Sequence, residues 1–111
     1  LILEQIATTA VWLSIDKDVL PETETISNWD QGRMPLQAVL DLIGAIVDHH
    51  ELAGADICGE HSPPQFDSLL KRWEVRRDQP RRAAPDAAAR ARNIEVTCQL
   101  LATIAGDGGR C

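Results

Sequence analysis

The sequence lacks the features of a membrane-spanning or exported chain. No apolar run in its 111 residues approaches the roughly 18 residues that a transmembrane helix needs. The N-terminal segment LILEQIATTA contains Glu4 and no basic residue, unlike a signal peptide. With 44% hydrophobic and 25% charged residues, the composition is that of an ordinary soluble domain. We therefore predict a cytoplasmic protein without a membrane partner.

Cysteine is scarce as well. Cys58, Cys98 and Cys111 are odd in number and widely spaced, and no C-x-x-C pair occurs. This arrangement argues against both a disulfide framework and a zinc ribbon. Buried or free thiols are the expectation for these residues.

Positive charge is sparse overall and unevenly distributed. The formal net charge is −6, yet eight of the eleven Lys and Arg residues lie in the segment 71–92. Such a cluster can bind phosphate or nucleic acid. The acidic balance of the chain, the absence of a nucleic-acid motif and the interruptions at Pro80 and Pro85 favour a solvated loop or a subunit contact instead. No nucleic-acid partner is predicted.

The first half of the chain has the pattern of a strand–helix–strand unit. An apolar run predicts a buried strand at about 10–16, and apolar residues at helical spacing predict a helix from Pro35 to His50. Small and apolar residues at 52–59 predict a second strand. A helical crossover of this length makes the two strands parallel. The connection at 21–33, about thirteen residues long, has a length that often accompanies function.

The second half predicts helices. One helix is expected from Pro64 to just before Pro80, and a final helix from about 87 to 105 with Asp86 as its N-cap. The apolar residues expected on buried faces are Phe66, Leu69, Leu70 and Trp73 in the first of these helices and Ile94, Cys98, Leu101 and Ile104 or Ala105 in the second. The tail at 107–111 is expected to fray.

We divide the chain into a motif-bearing unit at 1–63 and terminal helices at 64–106. Two strands alone leave both edges of a parallel sheet open. The chain also opens on Leu1 in the middle of an apolar pattern. Both features predict the C-terminal portion of a larger single domain.

Acidic residues follow both predicted strands. In V-W-L-S-I-D-K-D-V-L, Asp16 and Asp18 are spaced i, i+2 at the end of the first strand, on one side of an extended backbone. Two like charges there are costly unless a cation lies between them, so we predict metal ligands. An N-cap or turn aspartate beside a solvated neighbour is the alternative. Glu60 and His61 follow the second strand, and ligands of α/β sheets bind at the carboxyl ends of strands.

The two strand ends together resemble the ureohydrolase family, which includes arginase and agmatinase. The segments that carry the resemblance are S-I-D-K-D-V-L at 14–20 and G-A-D-I-C-G-E-H-S-P at 54–63, in which Gly59 makes the second motif one residue longer than usual. The resemblance implies an α/β fold with three αβα layers around a parallel sheet, arginase-like and here incomplete. It also implies a full-length homo-oligomer that hydrolyses a linear C–N bond of a small guanidino or amidino compound.

Site roles follow from the same resemblance. It implies two Mn²⁺ ions that share a hydroxide, with Asp16 bridging both metals and Asp18 binding one of them. Glu60 would bind the substrate's guanidinium through a charge-assisted pair. His61 and Trp29 are further candidates for substrate contact, Trp29 because an indole face can hold a planar cation. For both, a structural role is the alternative. Lys17 is predicted to point to the opposite side of the strand.

The family's other metal ligands belong to upstream G-G-D-H and D-A-H-x-D motifs, and neither string occurs in these 111 residues. We therefore expect this chain to supply only part of a dinuclear site and no catalytic residue. Two alternatives stay open. One is a non-catalytic interaction module that pairs through an open sheet edge or the basic segment 71–92. The other is a pseudoenzyme that keeps the fold without the upstream ligands.

Overall fold

The protein has an α/β fold. The computed structural model describes residues 2–62, 67–78 and 84–106. The elements in chain order are strand β1 (Ala10–Asp16), helix α1 (Leu36–His49), strand β2 (Glu51–Cys58), helix α2 (Leu69–Asp78) and helix α3 (Ala87–Ile104), with short 3₁₀ segments at Ile2–Gln5 and Lys17–Val19. Both predicted strands, the long helix α1 and the Asp86-capped helix α3 are confirmed to within two residues of their expected bounds, which is the usual uncertainty of such limits.

The two strands form a parallel sheet, as predicted. Ala10 pairs with Glu51 and Asp16 pairs with Cys58, while the register skips one residue, Ala53, where the pairing shifts after Val11. Because parallel strands end at the same edge, the residues that follow Asp16 and those that follow Cys58 lie side by side.

Helices α1 and α3 cover one face of the sheet. The buried core that joins the three elements consists of Ile15, Leu20, Val39, Ile43, Val96 and Leu100. Leu100 is fully buried. Burying a leucine of this kind contributes roughly 1.5–3 kcal/mol. The core therefore fixes α3 against the end of β1, where the polar residues of the following loops begin.

The opposite face of the sheet is exposed over the described residues. Trp12 is 63% exposed, and its ring lies over Gly54, where an added Cβ would overlap it. Trp12 Nε1 donates to Asp56 Oδ2 at 2.7 Å, and Ser14 Oγ donates to Asp56 Oδ1 at 2.8 Å. These two hydrogen bonds lower the pKa of Asp56, and the bond from Trp12 has the larger effect.

The predicted buried face is wrong for α2 and only partly correct for α3, in which Ile104 packs against the core. In α3 the buried residues are Ala89, Asn93, Val96, Leu100 and Ala102, whereas Ile94 and Leu101 are 65% and 54% exposed. The helix is rotated relative to its apolar stripe because Asn93 faces inward to bond a distant loop. In α2 no residue is buried, and Leu69, Leu70 and Trp73 are all exposed. Phe66 and the tail at 107–111 lie outside the described residues.

The cysteines divide into two kinds. Cys58 is a free thiol, as expected, but Cys98 is disulfide-bonded. The expectation of a thiol is therefore wrong for Cys98. An odd number of cysteines shows that they cannot all be paired, but it still allows one disulfide bond. Among the described residues, no helix combines the length and the apolar character that crossing a bilayer requires.

Candidate functional site

The two aspartates after β1 lie on a tight 3₁₀ turn. Asp16 caps this turn, since its Oδ1 accepts a hydrogen bond from Asp18 N at 3.0 Å. Asp18 Oδ1 is buried and has no hydrogen-bond partner among the described residues. The turn-cap interpretation is thus correct for one oxygen of Asp16, but it leaves a carboxylate oxygen of Asp18 unsatisfied. A buried acceptor without a partner is costly, so a cation or a hydrogen-bond donor beside Asp18 Oδ1 would stabilise this turn.

Gly59 brings the end of β2 against this turn. Its φ of +86° lies in the left-handed region, and a Cβ there would be 2.7 Å from Asp16 Oδ1 and 2.8 Å from Lys17 N. Glycine alone meets both requirements without strain. The residue that lengthens the second motif therefore lets the chain pass the aspartates closely and places Glu60 beside Lys17.

Lys17 makes the principal ionic contact of the site. Its side chain is fully buried, and its ammonium forms an ion pair with Glu60 Oε1 and a 2.9 Å hydrogen bond with Thr97 Oγ1. Burial lowers the pKa of Lys17. As predicted, Lys17 points away from Asp16, since it faces α3 while Asp16 is exposed; Lys17 begins the 3₁₀ turn, however, and does not lie in the strand. Lys17 also affects the site directly, since its ammonium pairs with the carboxylate of Glu60, the group that the resemblance assigns to substrate binding.

Glu60 and His61 line a cavity of about 530 Å³ between the end of β2 and α3. Glu60 is 54% exposed, and its Oε1 is bonded by both Lys17 and Thr97, the latter at 3.0 Å. His61 Nε2 is buried and has no hydrogen-bond partner within the described residues. Arg90 of α3 also lines this space. The volume is within the range of small-molecule sites.

The loop at 21–33 is ordered by buried amide side chains. Asn93 Oδ1 accepts from Ile26 N at 2.8 Å and from Thr25 Oγ1 at 3.0 Å, and its Nδ2 donates to Ile26 O at 2.8 Å. Asn28 forms a reciprocal pair with the backbone of Ser62, at 2.9 and 2.8 Å. The loop is thereby joined both to α3 and to the turn that carries Glu60.

Trp29 lies away from the cavity. The indole is 47% exposed and is not among the lining residues. Its backbone N–H bonds Ser27 Oγ at 3.2 Å, and its neighbour Asn28 is buried. The described structure therefore joins Asp16 with Asp18 and Glu60 with His61, and it does not bring Trp29 to either pair.

The donor set for a metal is partial. No group of three or more His, Cys, Asp or Glu side chains able to hold a metal occurs within residues 2–62, 67–78 and 84–106. The two carboxylates of Asp16 and Asp18 are hard oxygen donors of the type that suits Mn²⁺, and the unpartnered oxygen of Asp18 fits a cation.

Thiolate chemistry is disfavoured at the neighbouring Cys58. Desolvation raises the pKa of this thiol, and so do the carboxylates of Asp16, Asp56 and Asp18 and a hydrogen bond with Asp16. A thiol in such surroundings stays protonated near neutral pH and is a poor nucleophile.

Sequence reasoning missed the contributions of α3 to the site. Asn93 and Thr97 are spaced i, i+4, and Asn93 shares a face with Val96 and Leu100. Polar residues inside an apolar stripe are a usable signal, since buried polar groups need specific partners. Arg90 gave no such signal, because α3 has two other exposed charged residues, Arg92 and Glu95.

Comparisons with known proteins do not assign the chain to a family. No protein-family model matches it. No solved structure matches it either. An uncharacterized protein of Thermotoga maritima is 42% identical over 65 residues, which make up 59% of this chain and 26% of that protein. The chain thus spans about a quarter of the length of this curated relative.

Proposed function

We propose that this chain supplies part of the active site of a metal-dependent hydrolase of the ureohydrolase type, which cleaves a linear C–N bond at a dinuclear Mn²⁺ centre. The observation that carries the proposal is the turn of Asp16 and Asp18, two carboxylates at the carboxyl end of a parallel strand. One of their oxygens is buried without a partner among the described residues. The likeness of both strand-end motifs to ureohydrolases supports it.

In this proposal Asp16 and Asp18 are metal ligands. A bound metal pair supplies a water of lowered pKa as the nucleophile. Asp16 Oδ1 accepts from Asp18 N, so the position of the Asp16 carboxylate and the backbone of the turn are set before any metal binds. Gly59 keeps the space beside them narrow, and the buried Lys17 directs its charge away from them toward Glu60.

The finer fold belongs to the same proposal. We place the parallel sheet and helices α1 and α3 within a three-layer, arginase-like αβα domain that forms a homo-oligomer in the cytoplasm. Further metal ligands then come from residues outside the described part of the chain. The resemblance points to a guanidino or amidino substrate, and the charges around Glu60 bear on that choice.

A Mn²⁺ titration of the natural protein that contains this chain tests the proposal. We expect the double variant Asp16→Ala/Asp18→Ala to weaken Mn²⁺ binding by roughly a hundredfold or more, since each lost ligand of a metal site costs at least tenfold. The matched control is Asp48→Ala/Asp67→Ala, which removes two exposed carboxylates and leaves the turn intact. Equal Mn²⁺ affinity of the two double variants would show that the site assignment is wrong.

An interaction module is the second candidate. It is favoured by the exposed sheet face around Trp12 and by the exposed Leu69, Leu70 and Trp73 of α2, since contiguous exposed apolar surface marks interaction sites. A natural reading frame without G-G-D-H and D-A-H-x-D motifs, together with no Mn²⁺ binding, would favour this candidate over the hydrolase. A longer frame that encodes the rest of the domain but lacks the ligand residues of those motifs, together with no metal binding, would indicate a pseudoenzyme.

A further inference from the structure

The cavity beside Glu60 has a defined balance of charge. Glu60 is its carboxylate, and the buried ammonium of Lys17 neutralises that charge from inside the protein. Arg90 is its guanidinium, and no acidic side chain in the described ranges pairs with Arg90. The charges of Glu60 and Arg90 cancel within the lining, and Lys17 behind Glu60 adds one further positive charge, so the charged groups at the cavity are positive in balance.

Lys17 limits what Glu60 can bind. Oε1 of Glu60 already accepts from Lys17 and Thr97, so a guanidinium could not form a two-pronged pair with both carboxylate oxygens unless Lys17 moved away. Lys17 is 0% exposed, and such a movement would leave a buried ammonium without its counter-ion. Breaking one partner of a buried ion pair is strongly unfavourable. A cationic group is consequently disfavoured next to Glu60.

The wall of the cavity offers polar contacts to an uncharged group. His61 Nε2 is buried and unpartnered within the described residues, so it is ready to donate or accept one hydrogen bond. Ile94 and Pro85 give the same space an apolar side. The cavity thus combines the guanidinium of Arg90, which has no acidic partner among the described residues, with a neutralised carboxylate, one hydrogen-bonding nitrogen and an apolar wall.

We propose that the cavity binds a small carboxylate-bearing compound whose other end is an uncharged ureido or amide group. Arg90 pairs with the carboxylate, and the neutral C–N group lies against Glu60 and His61. This deepens the proposed function by naming the substrate class, and it rests on that function only in treating the ligand as a substrate. The motifs imply a substrate with a guanidinium group. An uncharged ureido or amide group takes its place here, because Lys17 already provides the cation that pairs with Glu60.

Three compounds of nearly equal size separate the two features of the ligand. They are 4-ureidobutyrate, 4-guanidinobutyrate and 4-aminobutylguanidine, and their binding to the metal-free natural protein is measured by calorimetry. We expect 4-ureidobutyrate to bind about tenfold more tightly than 4-guanidinobutyrate, and 4-aminobutylguanidine to bind most weakly, as one charged hydrogen bond gained or lost is worth about that factor. Binding of 4-aminobutylguanidine as tight as that of 4-ureidobutyrate overturns the proposal, and so does the absence of binding by all three at millimolar concentration.

Two arginines of α3 provide a matched pair of variants. Arg90 lines the cavity, whereas Arg92 is exposed and does not. We expect Arg90→Gln to weaken binding of 4-ureidobutyrate by roughly fivefold or more and to leave the binding of butylurea, which has no carboxylate, unchanged. Arg92→Gln should change neither. Equal effects of the two substitutions on 4-ureidobutyrate contradict the proposal.

The outcomes for the cavity and for the metal site are separable. Asp16→Ala/Asp18→Ala is expected to lose Mn²⁺ and to keep its affinity for 4-ureidobutyrate, because the cavity lining includes neither aspartate. If the unsubstituted natural protein binds 4-ureidobutyrate as expected but binds no Mn²⁺, the hydrolase is refuted and the cavity assignment is supported. Normal Mn²⁺ binding with a preference for the cationic compound refutes the cavity assignment and leaves the hydrolase standing.

Discussion

Gly59 decides how closely the end of β2 approaches the two aspartates. Two independent features require glycine at this position. Its φ is positive, and an added Cβ would lie only 2.7 Å from Asp16 Oδ1. Two other glycines allow the effect of the positive φ to be separated from the effect of the close contact. Gly106 has a φ of +78° with no atom near its Cβ position, and Gly44 lies in α1 with neither constraint. The three positions thus form a natural series.

We expect Gly59→Ala to be the most destabilising change of that series. Gly106→Ala should lower the free energy of unfolding by about 1–2 kcal/mol through backbone strain alone. Gly59→Ala should cost more than that because the clash adds to the strain, and Gly44→Ala should raise the free energy of unfolding by about 0.5–1 kcal/mol. Urea denaturation of the three variants measures these changes. Equal losses at positions 59 and 106 would show that the close approach to Asp16 does not matter.

Asp56 gives the sheet a dependence on acid. Hydrogen bonds from Trp12 and Ser14 hold the pKa of Asp56 below its ordinary value. A carboxylate whose pKa is depressed by folding stabilises the native state fully above the unfolded value of about 3.9, and this contribution is lost as pH falls through the depressed folded value. The exposed face of the sheet is therefore expected to weaken only in strong acid.

The two donors should act on Asp56 to different extents. We expect Trp12→Phe to move the titration of the Asp56 carboxyl upward more than Ser14→Ala does, because the hydrogen bond from Trp12 is the larger cause of the shift. Side-chain ¹³C NMR of Asp56 across the acidic range measures both changes. An unchanged Asp56 titration in Trp12→Phe would contradict this account of the face.

At the level of elements, the loop at 21–33 depends on α3. Asn93 is 4% exposed and makes three hydrogen bonds to Thr25 and Ile26. Glu24 Oε2 in the same loop accepts from Leu36 N at 2.7 Å and thereby caps the start of α1. One buried amide on α3 thus influences the loop and, through it, the beginning of another helix.

We expect Asn93→Ala to open this loop. Leaving the partly buried backbone groups of Ile26 and the buried hydroxyl of Thr25 without these hydrogen bonds should lower the free energy of unfolding by roughly 2–4 kcal/mol. Native-state hydrogen exchange should show the largest loss of protection at Ile26 N. Gln99→Ala on the same helix serves as the control, because among the described residues the Gln99 side chain bonds only the exposed Glu95. This change should alter stability by less than about 0.5 kcal/mol. Equal exchange at Ile26 in the two variants would rule out the anchoring role.

Local pattern was sufficient for the strands and for α1, and insufficient for the faces of the other helices. The apolar run before Asp16 and the helical spacing from Leu36 are properties of short windows, so they are legible in the sequence. The inward rotation of Asn93 depends on Ile26, 67 residues earlier, which no window of helical length contains. Tertiary contacts of this kind override an amphipathic pattern.

At the scale of the whole molecule, the meeting of the two strand ends was predictable and their ionic contact was not. Parallel pairing alone brings Asp16 and Cys58 to one edge of the sheet. The pairing of Lys17 with Glu60 joins residues 43 apart, and it depends on the close passage of Gly59 and on Thr97 of a third element. The sequence therefore indicated which edge of the sheet carries the polar side chains. The side-chain geometry showed that the carboxylate of Glu60 at this edge is already neutralised by Lys17.

The molecule is also more extended than its length suggests. Its radius of gyration is 16.2 Å, against about 13 Å for a compact domain of this size. Within the described residues, both strands have an unpaired outer edge and α2 buries no side chain. Unpaired edges and exposed apolar groups are surfaces on which further polypeptide packs.

The anchoring of the loop by Asn93 has a consequence for the order of folding. Ile26 and Asn93 are separated by 67 residues, so this contact forms only after most of the chain has been synthesised and α3 has docked. Contacts of long sequence separation carry a large loop-closure entropy and tend to form late. The β1–α1–β2 unit can therefore assemble first, and the loop beside the aspartates takes its final shape in one of the last steps on the folding pathway.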